Sequence, residues 1–130
     1  MFTHRRDVSY EGTAGTLSTY RTQSAESEHE ISIDIPAAAD QQEVAFALDI
    51  TQLKGFFMSA DGPLTVETNV ALAPDDTFSL LENEPVHFLA GGTPAEDNPF
   101  TVDVTKLFVT NPSSGVAVHL DIRALVDPTV

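Results

Sequence analysis

From residue 30 onward apolar and polar residues alternate with a period of two, the spacing of a half-buried strand rather than a helix. Ile31, Ile33 and Ile35 alternate with Ser32 and Asp34, and Pro36 ends the run. Val44, Phe46, Leu48 and Ile50 share one face, with Ala45, Ala47 and Asp49 on the other. The small opposite face predicts a strand packed closely on both sides. Residues 53–60 (LKGFFMSA) form a third strand, and Gly55 within it marks a bulge or a close backbone approach. Asp61-Gly62-Pro63 is a strong turn. Residues 64–70 follow with Leu64, Val66 and Val70 inward. Strands at 77–81 and 85–90 come next, placing Phe78, Leu80, Val86 and Phe88 inside.

The clearest stretch is 103–125, DVTKLFVTNPSSGVAVHLDIRAL. It reads as a β-hairpin. A strand from Lys106 to Thr110 leads into an Asn111–Gly115 turn, and an alternating strand from Val116 to Val126 follows. On that strand Val116, Val118, Leu120, Ile122 and Ala124 point one way; Ala117, His119, Asp121 and Arg123 point the other. A one-residue slip would expose the whole apolar row, so the register is well specified. Asp49-Ile50-Thr51-Gln52-Leu53 and Asp103-Val104-Thr105-Lys106-Leu107 share a pattern, and each is followed by a strand, a turn and a strand. Asp49 and Asp103 are expected to be Asx-type caps, accepting backbone N–H groups where each strand begins.

Turns recur every 8 to 12 residues, the spacing of an all-β, antiparallel β-sandwich or jelly roll with about eight or nine short strands. Residues 29–130 are expected to form that single domain. Residues 1–28 are more polar, and a strand at 17–22 is only weakly patterned. They predict an extended N-terminal arm, either partly ordered or ordered on assembly against a neighbouring subunit with Tyr10 or Tyr20 as anchor.

The chain of 130 residues suits one domain, able to bury roughly two-thirds of its unfolded surface. Twenty acidic residues face six basic ones, and three of the six, Arg5, Arg6 and Arg21, fall in the first 28 residues. A net charge of −14 repels phosphate backbones and anionic membranes, so neither nucleic acid nor membrane is an expected partner. Cysteine is absent, which excludes disulfide scaffolds and thiolate chemistry. No apolar run reaches the length of a membrane-spanning helix, and the N-terminus lacks a signal-peptide core.

Candidate chemistry is sparse. Glu28-His29-Glu30 resembles an acid–base or metal cluster, but on a strand His29 points away from its neighbours. His87 and His119 lie on outward faces and would meet only if their strands were adjacent. His4 falls in the arm. Asp75-Asp76 and Glu96-Asp97-Asn98 lie in loops that offer calcium ligands without EF-hand spacing. Ser113-Ser114-Gly115 reads as a turn. With no phosphate-cradling loop, no G-x-S-x-G and no H-E-x-x-H, the sequence predicts no catalytic, cofactor-binding or metal-binding residue. The lack of tryptophan, with only Tyr10 and Tyr20 as tyrosines, weakens a sugar-binding reading.

Residues 49–125 carry an ordered set of segments. They are D-I-T-Q-L-K, L-T-V-E-T-N at 64–69, Leu81 with Pro85-Val86-His87-Phe88, Asn98-Pro99, D-V-T-K-L-F-V-T-N at 103–111 and G-V-A-V-H-L-D-I-R-A-L at 115–125. As a set they resemble small β-sandwich structural proteins of tailed bacteriophage virions. The resemblance implies a non-enzymatic virion component without a cofactor. Within that class it implies a capsid decoration (cement) protein on the outer capsid surface. Such a protein bridges neighbouring major capsid proteins as a homo-oligomer, with a trimer favoured. A tail or head-fibre component stands as the alternative, followed by a carbohydrate- or ligand-binding module and, last, a hydrolase.

Overall fold

The computed structural model describes residues 1–92 and 95–128. Ten strands pair antiparallel into three sheets: β1 (Phe2–Gly12), β2 (Gly15–Ala25), β3 (Ser27–Ile35), β4 (Gln42–Val44), β5 (Leu53–Ala60), β6 (Leu64–Thr68), β7 (Thr77–Leu80), β8 (Val86–Leu89), β9 (Leu107–Thr110) and β10 (Val118–Val126). β1 and β2 form a hairpin of their own. The rest form two four-stranded sheets, ordered β3-β10-β5-β8 and β4-β9-β6-β7. The chain is all-β, and its antiparallel sheets pack as a β-sandwich around one core.

Alternation explains the core. On β10, Val118, Leu120, Ile122 and Ala124 are buried; their partners are Ile35, Ile33 and Ile31 on β3 and Ala60, Met58 and Phe56 on β5. The facing sheet contributes Val44, Leu64, Val66, Leu80, Leu107 and Val109. Removing these apolar surfaces from water is the main favourable term in folding. Phe100, from the loop before β9, closes one end of the core. Its ring stands edge-on to Phe56 (centroids 4.9 Å apart) and Phe78 (5.4 Å), an arrangement the aromatic quadrupole favours.

The predicted 103–125 hairpin does not form. β9 pairs with β4 and β6, whereas β10 pairs with β3 and β5 in the opposite sheet. The 111–117 connection therefore crosses the sandwich. It is pinned by buried Asn111, whose amide donates to the carbonyls of Ile35, Pro36 and Val116 at 3.2, 3.2 and 2.9 Å and accepts from Ser113 N at 3.0 Å. β5 and β6 likewise lie in different sheets. A period-two pattern reports which side of a strand faces the core; the inner faces of both sheets look alike to it.

The two D-x-T-x-L stretches do meet. Leu48 and Val104 form an antiparallel bridge, with N···O distances of 2.8 and 2.9 Å. Asp49 is the cap it was expected to be, accepting from Thr51 N at 3.0 Å at the start of a single 3-10 turn, Ile50–Gln52. Asp103 is not a local cap. Its carboxylate accepts from Ile50 N in the other copy at 3.0 Å, and Thr105 N is held instead by Asn69 Oδ1 at 2.7 Å.

Three further expectations change. β4 ends at Val44; Phe46 and Leu48 stay buried while Ala45 and Ala47 are exposed, so this stretch is packed on one side only. Val70 is exposed, and Thr68 takes the buried place, its hydroxyl accepting from Asp76 N at 2.9 Å. Val116 is exposed because β10 begins at Val118. At Gly55 the bulge reading holds, and the close approach is made by side chains rather than by backbone. The β10–β5 register slips beside it, between Leu125 and Val126, and a Cβ at Gly55 would sit 2.9 Å from His4 Nδ1.

Candidate functional site: a hairpin over the outer face of the sandwich

Residues 2–25, read from the sequence as a weakly patterned arm, form two 11-residue strands in register from Phe2↔Ala25 to Gly12↔Gly15. Directly paired residues share a face. His4, Arg6, Val8 and Tyr10 on β1 therefore lie with Gln23, Arg21, Thr19 and Leu17 on β2. The missed signal was this alternation, together with the Gly12-Thr13-Ala14-Gly15 turn. It is masked because the apolar residues of the shared face, Phe2 and Ala25 at its root and Val8, Tyr10 and Leu17 towards its tip, are interrupted by His4, Arg6, Arg21 and Gln23.

The root of that face sits on the outer side of the β3-β10-β5-β8 sheet. His4, which the sequence assigns to a partly ordered arm, is instead largely buried. Its Nε2 lies 2.8 Å from Glu28 and its ring covers Gly55. Gln23 donates to Ala90 O at 3.1 Å and Arg21 to Leu89 O at 2.6 Å. Glu96 is the centre of the attachment. Arg6 binds it with both guanidinium nitrogens, one contact measuring 2.6 Å, and Arg21 adds a third at 2.5 Å. The carboxylate is 28% exposed, sheltered enough for these charge-assisted bonds to matter. Hydrogen bonding from Arg6 is the main reason the Glu96 carboxyl is held below the usual glutamate range, and the same bond raises Arg6. Gly92 leaves room for the Arg21 guanidinium, which passes where any Cβ would stand.

Beyond the attachment, the same face runs on without support. Tyr10 is 73% and Leu17 76% exposed, and Val8 is also exposed. On the opposite face, Arg5 lies over the Tyr20 ring at 4.0 Å and pairs with Asp7. Between β1 and the sheet is a groove of about 880 Å³. Residues 3–9 form its rim, and Phe57, Ser59, His87, Asp121 and Arg123 line its floor. Phe57 is 42% exposed there, although it sits at the middle of a central strand.

The other candidates separate. In Glu28-His29-Glu30 the three side chains diverge: Glu28 to His4, His29 edge-on to Phe46, and Glu30 to Arg123 at 3.6 Å. His87 and His119 are on strands flanking β5 on opposite sides and do not meet. Asp75 accepts from Asn69, and Asp76 accepts from Thr101 through backbone and hydroxyl. Asn98 holds Ile50 O and Phe100 N, so the Glu96-Asp97-Asn98 loop serves the hairpin and the core. Ser113 is a turn residue, its Oγ accepting from Val116 N at 3.1 Å. Among the described residues, no three side chains cluster as metal ligands.

One grouping the sequence did not signal has the order of a nucleophile, base and orienting acid. Ser32 Oγ lies 2.9 Å from His119 Nε2, and Asp34 Oδ1 lies 2.8 Å from His119 Nδ1. Its histidine is flanked by carboxylates on both sides. The Asp34 hydrogen bond, with Asp121 at 3.3 Å from Nε2, raises His119 above the usual 6.5. The cluster is a hydrogen-bonded bridge between β3 and β10, with His119 and Asp121 at the side of a shallow depression. No family model, curated protein or solved structure matches this chain.

Proposed function

We propose that this protein is a non-enzymatic structural component of a virus particle, a capsid decoration protein that bridges neighbouring major capsid proteins on the outer surface. The reading begins from the resemblance of residues 49–125 to virion sandwich proteins. The observation that carries it further is the hairpin: the sandwich holds it by a half-buried ion cluster and leaves Val8, Tyr10 and Leu17 uncovered. A rigid, projecting, half-apolar element is suited to assembly rather than to turnover.

Two more features support this reading. With β3 beside β10 and β4 beside β9, the strand order β3-β10-β5-β8 against β4-β9-β6-β7 supports a jelly-roll reading of the sandwich, an architecture common in capsid proteins. The strongly acidic composition is compatible with a place outside the shell, away from packaged nucleic acid.

The test is binding to purified capsids. The protein is expected to sediment with capsids at a copy number tied to lattice symmetry, and capsids lacking it should open at lower temperature. Failure to co-sediment with any tailed-phage capsid would remove the proposal.

A further inference from the structure

We infer that the groove between β1 and the sheet takes an extended, uncharged peptide segment of another protein, added as a strand to the free edge of β1. The inference goes beyond the assembly reading and does not depend on it.

The wall of the groove sets the shape of the occupant. Residues 3–9 line it without a gap, from both faces of β1, and β2 contributes no residue. The groove therefore runs along the edge of β1 rather than across one face. The two-residue turn makes Gly12↔Gly15 a hydrogen-bonded pair, and bonded pairs alternate along an antiparallel ladder. Counting back from Gly12, the even-numbered residues of β1 bond to β2. The N–H and C=O groups of Thr3, Arg5, Asp7 and Ser9 point the other way, along the groove. Among the described residues, none of these groups has a backbone partner outside the hairpin. A row of free donors and acceptors at strand spacing is a template for one more strand. A sugar or a compact ligand would satisfy one or two of them; an extended main chain matches the whole row.

The floor sets the side chains. Arg123, Phe57 and His87 are neighbours in register across β10, β5 and β8, and all three line the groove. Of the large apolar side chains left exposed, Phe57 is the only one on a strand of the two four-stranded sheets; the others lie on the hairpin, in loops or at Met1. An incoming strand covers it by pointing one apolar side chain down, with its neighbours alternating upward.

Charge narrows the occupant further. The ionic groups of the lining already have partners within the chain: Arg5 with Asp7, Arg6 with Glu96, Arg123 with Glu30, Glu28 with His4 and Asp121 with His119. A charged side chain entering the groove would have to break one of these pairs or stay unpaired; an uncharged one does neither. The strands described in this chain are all held in sheets, so a single unpaired segment comes from another protein. The groove of about 880 Å³ has the size of a ligand site rather than of a docking face for a second sandwich.

The probe is an acetylated and amidated seven-residue peptide of threonine alternating with valine, phenylalanine and valine. It is titrated into the full chain, with binding followed by backbone NMR and hydrogen exchange. The expected result is slowed exchange at the Arg5, Asp7 and Ser9 amides, with Arg6 and Val8 unchanged because they already donate to β2. Methylating every backbone nitrogen of the probe keeps its side chains and removes its donors, and should abolish binding. Lysine or glutamate in place of the two valines should weaken it. Phe57→Ala should weaken it by about tenfold or more, the effect of losing a central aromatic anchor, while thermal unfolding stays near the wild-type value because Phe57 lies outside the core. Absence of binding, equal binding of the methylated probe, tighter binding of a charged probe, or protection spread evenly over odd and even residues of β1 would each overturn the inference. So would a wild type that pairs with itself through β1 and excludes the probe.

Discussion

Replacing Glu96 by glutamine should release the hairpin without loosening the sandwich. Glu96 accepts three charge-assisted hydrogen bonds, two from Arg6 and one from Arg21. Bonds of that class contribute about 1.5–3 kcal/mol each when sheltered and under 1 kcal/mol when fully exposed. At 28% exposure, and with glutamine still able to accept one bond, the net loss is about 2 kcal/mol. Arg21 to Leu89 O, Gln23 to Ala90 O and His4 to Glu28 remain as holds. A loss of about 2 kcal/mol corresponds to roughly 30-fold faster opening-limited exchange of the β1 and β2 amides. Hydrogen exchange resolved by segment measures this directly, with β10 amides as the internal standard. Acid provides a second readout. The Glu96 pKa is lowered on folding, so its contribution is complete above the unfolded value of 4.5 and is lost as pH falls through the lower folded value. Wild-type hairpin protection should therefore approach that of the variant below that range and differ from it above. Equal loss at β10, or no change at β1 and β2, would refute the assignment of Glu96 as the hairpin's attachment.

Asn111→Ala removes the donor to three carbonyls at a buried site and should lower stability by about 2–4 kcal/mol, read by urea unfolding at constant m-value. Gly55→Ala places a methyl group 2.9 Å from His4 Nδ1 and 3.3 Å from Leu125 and Leu89, and should cost about 1–2 kcal/mol while increasing exchange at the hairpin root. His119 should titrate above 6.5 by NMR and fall towards it in Asp34→Asn. Because folding raises this pKa, the bridge contributes fully below the unfolded value and is lost as pH rises through the folded one. An unchanged His119 titration in Asp34→Asn would show that the 2.8 Å contact does not set its charge.

Burial was more legible in the sequence than pairing. The alternation of Val118, Leu120, Ile122 and Ala124 gave their inward face, and Phe46 and Leu48 were placed inside even though their segment is not a regular strand. Partnership was not legible, because Ile122 between Ile31 and Met58 is separated from both by long stretches of chain and no local rule chooses between two sheets. The hairpin was missed for a different reason. Its body-facing row breaks the apolar run from Phe2 and Ala25 with His4, Arg6, Arg21 and Gln23 at the attachment and leaves Val8, Tyr10 and Leu17 exposed, so the usual inside–outside contrast is lost along its length. The Ser32–His119–Asp34 grouping was invisible because its members lie on two strands whose adjacency only the fold reveals.

The placement of β10 between β3 and β5 has a consequence for how the chain is made. Ser32 and His119, neighbours across that pairing, are 87 residues apart. Until β10 has left the ribosome, its sheet has no centre: β3 is a solitary strand and β5–β8 a two-stranded ribbon with an open edge. Such non-local pairing makes for slow folding, and open edges invite misassociation while the chain waits. The abundant like charge of the intervening segments then has a use before the protein is folded, keeping nascent chains apart during synthesis.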